Sequence, residues 1–240
     1  MDGHPKEADL HYIVGARDAG RLSDELVAFH APLNSASEAY RMVRTNLFYA
    51  LVDQPPEVVV IASPGPGEGK SITCANLGIT LAQAGKNVLI VDCDLRDPDQ
   101  HRLFGMSSSP GLVDVLAGAR NLQRSWETPL EGLHVIPGGH IPINPSEMLG
   151  SRRFVEFVAK ARQEYDYVLL DTPPVCAVSD SAIIARHGDG VLLVLDLEKT
   201  SRRPMRRAMG LLEGVGARVI GTVVNKAHVS KNDQAYGYVG

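Results

Sequence analysis

IASPGPGEGKS, residues 61–71, follows an apolar run at 58–62 and opens a segment of helical character at 70–84. Strand, glycine-rich turn and helix in that order let main-chain N–H groups converge on phosphate oxygens. Gly65, Gly67 and Gly69 admit backbone conformations closed to bulkier residues, and the start of the following helix adds its positive dipole end. Lys70 is suited to bridge terminal phosphates as a point charge, and the Ser71 hydroxyl to ligate magnesium. The G-x-x-x-x-G-K-[ST] pattern is broken at its first position, where Pro64 stands for glycine. The reading assigns Gly65, Pro66, Gly67, Glu68, Gly69, Lys70, Ser71 and Ile72 to a nucleoside triphosphate, ATP, with Mg2+.

Two further apolar runs end in carboxylates. Residues 88–91 run into Asp92-Cys93-Asp94, where alternation along an extended segment puts both aspartates on one side. Residues 168–170 end at Asp171, followed by Thr172-Pro173-Pro174. A lone aspartate at a strand end is usually a cap or a solvated turn. Three of them in a chain with this loop point to a metal held by Ser71, Asp92, Asp94 and Asp171, with Lys70 and the same aspartates as catalytic groups. Asp92 and Asp94 both remain candidates for the base.

The rest of the chain alternates the same two textures. Strands are predicted at 58–62, 87–92, 133–137, 167–171, 191–195 and 219–224, and helices at 35–51, 70–84, 111–116, 152–164, 179–186 and 204–213. Short Val/Ile/Leu runs separated by helices indicate an α/β fold: a doubly wound, mostly parallel sheet flanked by helices, with ligands at its carboxyl edge. The stretches 107–111 and 137–145 read as loops over that edge. Three units follow: a polar N-terminal arm at 1–34, a P-loop domain at 35–229 beginning with a helix that carries Tyr40, Val43, Leu47 and Leu51 on one stripe, and a tail at 230–240.

Composition narrows the class. With 44% hydrophobic and 22% charged residues among 240, the chain resembles an ordinary globular protein, and a net charge of −4 argues against nucleic acid as a bulk partner. Three cysteines without C-x-x-C spacing indicate a reducing compartment and no zinc or iron–sulfur site. No signal peptide is read at the start, and no apolar run approaches the roughly 20 residues that span a bilayer. The expected location is cytoplasmic.

The phosphate loop, VDCDLR (91–96) and VLLDTPP (168–174) together resemble the bacterial tyrosine kinases of capsule and exopolysaccharide synthesis, within the MinD/ParA-like P-loop ATPases. NPSEML (144–149) and ARVIGTVVNK (217–226) extend the resemblance from about residue 35 to the end. It implies that Asn225 reaches the adenine, that Glu38, Arg41 and Arg44 form the family's E-x-x-R-x-x-R subunit contact, and that Tyr236 and Tyr238 are phosphoacceptors. It also implies a homo-oligomeric ring, a membrane-embedded polysaccharide co-polymerase as activator that recruits the chain to the inner face of the membrane, and a cognate tyrosine phosphatase. A ParA/MinD-like switch ATPase and a non-catalytic nucleotide-binding regulator of polysaccharide export stay open as alternatives. Arg202, Arg203, Arg206 and Arg207 form adjacent i, i+4 columns if Pro204 lies in a first helical turn, giving a solvated surface or a site for an anionic one.

Overall fold

Each continuous Val/Ile/Leu run becomes a strand, and those at 58–62, 88–92 and 167–171 are buried on both faces. A computed structural model of the chain describes residues 20–51, 55–119 and 126–227. Its six strands are β1 (Val58–Ala62), β2 (Val88–Asp92), β3 (Leu133–Ile136), β4 (Tyr167–Asp171), β5 (Gly190–Asp196) and β6 (Val219–Asn225), in the spatial order β3-β2-β4-β1-β5-β6. Every pairing between neighbouring strands is parallel. The helices are α1 (Val27–His30), α2 (Ser35–Phe48), α3 (Lys70–Gln83), α4 (Gln100–Leu103), α5 (Leu112–Ala117), α6 (Pro145–Leu149), α7 (Arg152–Glu164), α8 (Asp180–Ala185) and α9 (Arg202–Gly214).

Alternation along the strands divides the core in two. Val58, Val60, Leu89, Val91, Val168, Leu170, Val191 and Leu193 face the cluster that includes Phe154 of α7, Ile184 of α8 and Leu212 of α9. Val59, Ile61, Val88, Ile90, Leu169 and Leu192 face the opposite cluster, with Leu47 of α2 and Leu77 and Leu81 of α3. The amphipathic period of α7 shows the logic: Phe154, Val158 and Ala161 are its buried residues, and Ser151 caps its start by accepting from Phe154 N–H at 3.3 Å.

This order carries the ends of β1, β2 and β4 to one place. Asp171, closing β4, lies in register with Ile61 on one side and Asp92 on the other. The loop after β1 therefore overhangs both acidic strand ends, at the reversal in strand order where α/β sheets bind ligands.

Two expectations are corrected. Residues 20–34 are not a free arm. Leu26 and Ala28 are fully buried, Asn76 Oδ1 accepts from Ala28 N–H at 2.9 Å, and Asn76 Nδ2 donates to the Glu25 carbonyl at 3.0 Å. Two apolar anchors and a buried amide from α3 outweigh the polar surroundings. The first predicted helix ends at Phe48, so Leu51 lies beyond it. Residues 1–19 and the tail with Tyr236 and Tyr238 lie outside the described residues. Among the described residues no helix is long and apolar enough to cross a membrane.

Candidate functional site

The turn after β1 holds its shape through glycine. Gly67 and Gly69 take φ of +71° and +88°, in the left-handed region that favours glycine. A Cβ on Gly69 would also stand 2.1 Å from Asn225 Nδ2. Helix α3 starts at Lys70 with no side-chain cap, so its first N–H groups point into the turn without intrahelical acceptors.

Lys70 stands at the centre of the charged groups. Its Nζ is 3.1 Å from Asp94 Oδ2, 3.9 Å from Asp171 Oδ1 and 3.1 Å from Ser71 Oγ, and its side chain is 13% exposed. Burial alone would lower the pKa of this lysine, but the negative fields of Asp171 and Asp94 outweigh it and hold the ammonium well above its ordinary value. Asp171 is fully buried. Its Oδ2 accepts from Gln100 Nε2 at 2.8 Å, while its Oδ1 is buried with no hydrogen-bond donor. Burial pushes the Asp171 carboxyl up from its usual range, against the pull of Lys70 and Gln100.

Asp92 departs from the sequence expectation. Its Oδ1 accepts from Asp94 N–H at 3.2 Å and its Oδ2 from Asp99 and Gln100 N–H, each at 2.9 Å. Both oxygens thus accept main-chain donors in a fully buried position, which shapes the 93–100 loop. Burial, then the nearby Asp171, pushes the Asp92 carboxyl well up. Among the described residues no three His, Cys, Asp or Glu side chains converge as a metal cage. What fits a divalent cation is a smaller set, Ser71 Oγ and the donorless Oδ1 of Asp171, with Asp94 at the rim. The Lys70 ammonium, 3.9 Å away, is the counter-charge to Asp171 Oδ1, and a cation nearer to it would further offset its burial.

Three long-range contacts have no signal in the sequence. Gln100, fully buried on the four-residue α4, donates to both Asp171 and the Ser71 carbonyl and so locks the β4 end to the phosphate loop. Asp180, also fully buried, receives Arg96 Nε at 2.8 Å and Ser146 Oγ at 2.6 Å, tying the segment after β2 to α6 and α8. Glu68 accepts from Gly65 N–H at 2.8 Å through Oε1, and from Asp196 N–H at 3.1 Å and Thr200 Oγ–H at 2.5 Å through Oε2. The side chain of Glu68 thereby clamps the loop to the end of β5. Glu68→Ala would leave the half-buried Gly65 N–H without an acceptor and the Asp196 N–H with only Thr200 Oγ1 at 3.0 Å, and denaturant unfolding should show a loss of about 1–3 kcal/mol.

Asn225 closes β6 beside the loop, with Nδ2 donating to the Glu68 carbonyl at 3.2 Å and Oδ1 accepting from Lys226 N–H at 2.9 Å. On α2, Arg41 pairs with Glu38 of its own helix at 2.7 Å, whereas Arg44 turns inward and donates to the Thr80 carbonyl of α3 at 2.8 Å. Glu38 is exposed, while Arg41 also donates to the Pro32 carbonyl of its own chain. Arg44 docks α2 on its own domain.

The chain is similar to known proteins over most of its length. Residues 56–217 match the family described as AAA domain. The tyrosine-protein kinase YwqD of Bacillus subtilis is 38% identical over 92% of this chain and 93% of its own length. Among solved structures, the chimerical protein CapA2B2 superposes with a TM-score of 0.82 at 34% identity, covering 88% of this chain and 94% of that one. The septum site-determining protein MinD of Pyrococcus horikoshii, complexed with Mg-ADP, matches with a TM-score of 0.61 at 25% identity, covering 74% and 73%.

Proposed function

The chain belongs to the bacterial tyrosine-protein kinases, among the AAA-domain P-loop proteins, and on that premise we propose that it transfers the γ-phosphoryl group of ATP to Tyr236 and Tyr238 of a neighbouring copy. Through that cycle it regulates capsule or exopolysaccharide synthesis and export. The observation that carries the proposal is the convergence of Lys70, Ser71, Asp94 and the donorless Oδ1 of Asp171 under a loop whose glycines open it to an anion.

The roles divide as follows. Main-chain N–H groups from Gly67 to Ile72 bind the phosphates, and Asn225 contributes the contact to the base. Ser71 and Asp171 would hold Mg2+, which would supply positive charge against that of the phosphates. Lys70 moves its charge from Asp94 to the terminal phosphate, and this frees Asp94 Oδ2. Asp94 is favoured over Asp92 as the base because Asp94 Oδ2 meets Lys70 directly, whereas both Asp92 oxygens accept main-chain hydrogen bonds. The tyrosine oxygen then bonds to the γ-phosphorus, the bond from that phosphorus to the β–γ bridging oxygen breaks, ADP leaves, and the phenol proton passes to Asp94.

Glu38 and Arg41 make contacts in a homo-oligomeric ring, and a membrane-embedded polysaccharide co-polymerase activates the chain at the inner face of the membrane. A tyrosine phosphatase resets the cycle. Intact and peptide mass spectrometry after incubation with MgATP should find phosphate on Tyr236 and Tyr238 that phosphatase removes. Protein that gains no phosphate, or gains it only on serine and threonine, overturns the reading.

A further inference from the structure

Four arginines crowd the first two turns of α9, and nothing in the site's chemistry employs them. Arg202, Arg203, Arg206 and Arg207 are all exposed, and none of their guanidinium groups has a hydrogen bond or ion pair with the described residues. They occupy the side of α9 opposite Ala208 and Leu212, the two residues that bury the helix against the core. The helix has no acidic residue in its first turn, so these cations sit where the helix dipole is itself positive. Such an arrangement costs stability unless an anion answers it.

The cationic face adjoins the mouth of the phosphate site. Cys176 Sγ approaches the Pro204 carbonyl of α9 at 3.6 Å, and the Cys176 N–H donates to the Pro64 carbonyl of the phosphate loop at 3.2 Å. Three residues ahead of α9, Lys199 is exposed, and its Nζ would stand 3.2 Å from a Cβ on Gly67. Cationic groups thus extend from the loop onto the helix.

The chain also leaves the described residues beside this face. Leu197 N–H donates to the Asn225 carbonyl at 3.1 Å, and Lys226 Nζ lies 2.8 Å from Asp196 Oδ2, so the end of β6 is joined to the segment that leads into α9. Lys226, at φ +55°, turns the backbone there. From Ala227 to Tyr236 the chain can span up to about 30 Å, against about 8 Å between the first and last of the four arginines along the helix. Residues 228–240 carry one lysine, Lys231, and one aspartate, Asp233, which cancel. Two phosphotyrosines would add roughly −3 to −4 in charge.

We propose that the arginine face of α9 is the docking site for the phosphorylated form of residues 228–240, with Arg202, Arg203, Arg206 and Arg207 receiving the phosphotyrosines at the exit of the catalytic site. Guanidinium groups bind phosphate through paired, charge-assisted hydrogen bonds, and the unmodified segment offers them no net charge. The face therefore distinguishes product from substrate: it draws the phosphorylated segment away from the acidic groups around Lys70 and leaves the entrance to an unmodified one. The inference rests on the kinase reading, since phosphoryl transfer is what supplies the charge.

The test uses phosphatase-treated full chain without ATP and two synthetic peptides of residues 228–240, one unmodified and one phosphorylated at Tyr236 and Tyr238, followed by fluorescence anisotropy. The phosphorylated peptide should bind at least about tenfold more tightly, and the preference should weaken as salt shortens the reach of the charges. A chain with all four arginines changed to Ala should lose the preference with no fall in its unfolding midpoint, and the corresponding Lys variant should keep part of it. Equal binding of the two peptides overturns the proposal, as does a preference that survives in the Ala variant. Anionic phosphatidylglycerol vesicles serve as the competing probe. Arginine-dependent vesicle binding without any phosphopeptide preference assigns the face to a membrane and also overturns it. Synthetic peptides carry phosphate whether or not the chain transfers it. A chain that docks the phosphopeptide but never labels itself therefore refutes the kinase reading and leaves the face standing.

Discussion

Lys70→Met is expected to lower phosphoryl transfer by at least about 10²–10³-fold, the range for losing one group that stabilises transition-state charge, and also to weaken the nucleotide-free fold. The second effect follows from the position of this ammonium, which is 13% exposed and the cation nearest to Asp94 and Asp171. Methionine fills similar volume but leaves carboxylates without a counter-charge, and breaking one side of a buried pair costs about 3–5 kcal/mol. The cost should fall at acid pH, where Asp171 takes up a proton readily because burial has already raised its pKa. Urea unfolding at pH 8 and pH 5, alongside labelling by γ-labelled ATP, checks both halves. A variant as stable as wild type at pH 8 would show that the carboxylates do not depend on Lys70.

Asp171→Asn should show the reverse combination: activity down about a hundredfold or more, with a nucleotide-free chain more stable than wild type. Wild-type Asp171 buries an oxygen that no donor satisfies. Because the pKa of this carboxyl is raised by folding, the native chain holds its proton more tightly than the unfolded chain does. Its contribution to stability is therefore most favourable at low pH and declines as pH rises from the ordinary carboxylate range through the raised value. Asparagine removes that decline. A gain of about 1 kcal/mol, or about 2–4 °C in Tm for a chain of this length, should appear at pH 8 and vanish near pH 4. Magnesium with nucleotide should stabilise wild type and leave the variant almost unmoved. A variant less stable than wild type at both pH values would mean that Asp171 is a structural residue.

The sequence reading placed these groups because their signals are local. The strands at 58–62 and 167–171 run as expected, since uninterrupted Val, Ile and Leu satisfy a strand buried on both faces, and Asp171 closes the second where its run stops. The glycines of the loop were legible for the same reason: a turn between strand and helix needs them. Contacts that stabilise the site but join distant residues were not legible. Glu68 meets Thr200, Arg96 meets Asp180, and Gln100 meets Asp171, and no periodicity marks any of these pairs. Helices of four or five residues, such as α1, α4 and α6, are too short to display a 3.6-residue pattern. Residues 20–34 misled by composition, because a buried Leu26 and Ala28 decide their placement among polar neighbours. Arg44 misled by spacing, which shows which residues share a helix face but not which neighbouring element that face meets.

Complementation between two inactive chains tests the account most directly. One chain carries Asp171→Asn with its tail intact, so it offers tyrosines without transferring phosphate. The other carries Tyr236→Phe and Tyr238→Phe with its catalytic groups intact. Mixed with γ-labelled ATP, the pair should place label on the tail of the first chain, while each alone stays unlabelled. Label absent from the mixture, when wild type labels itself under the same conditions, would contradict transfer between copies by this site.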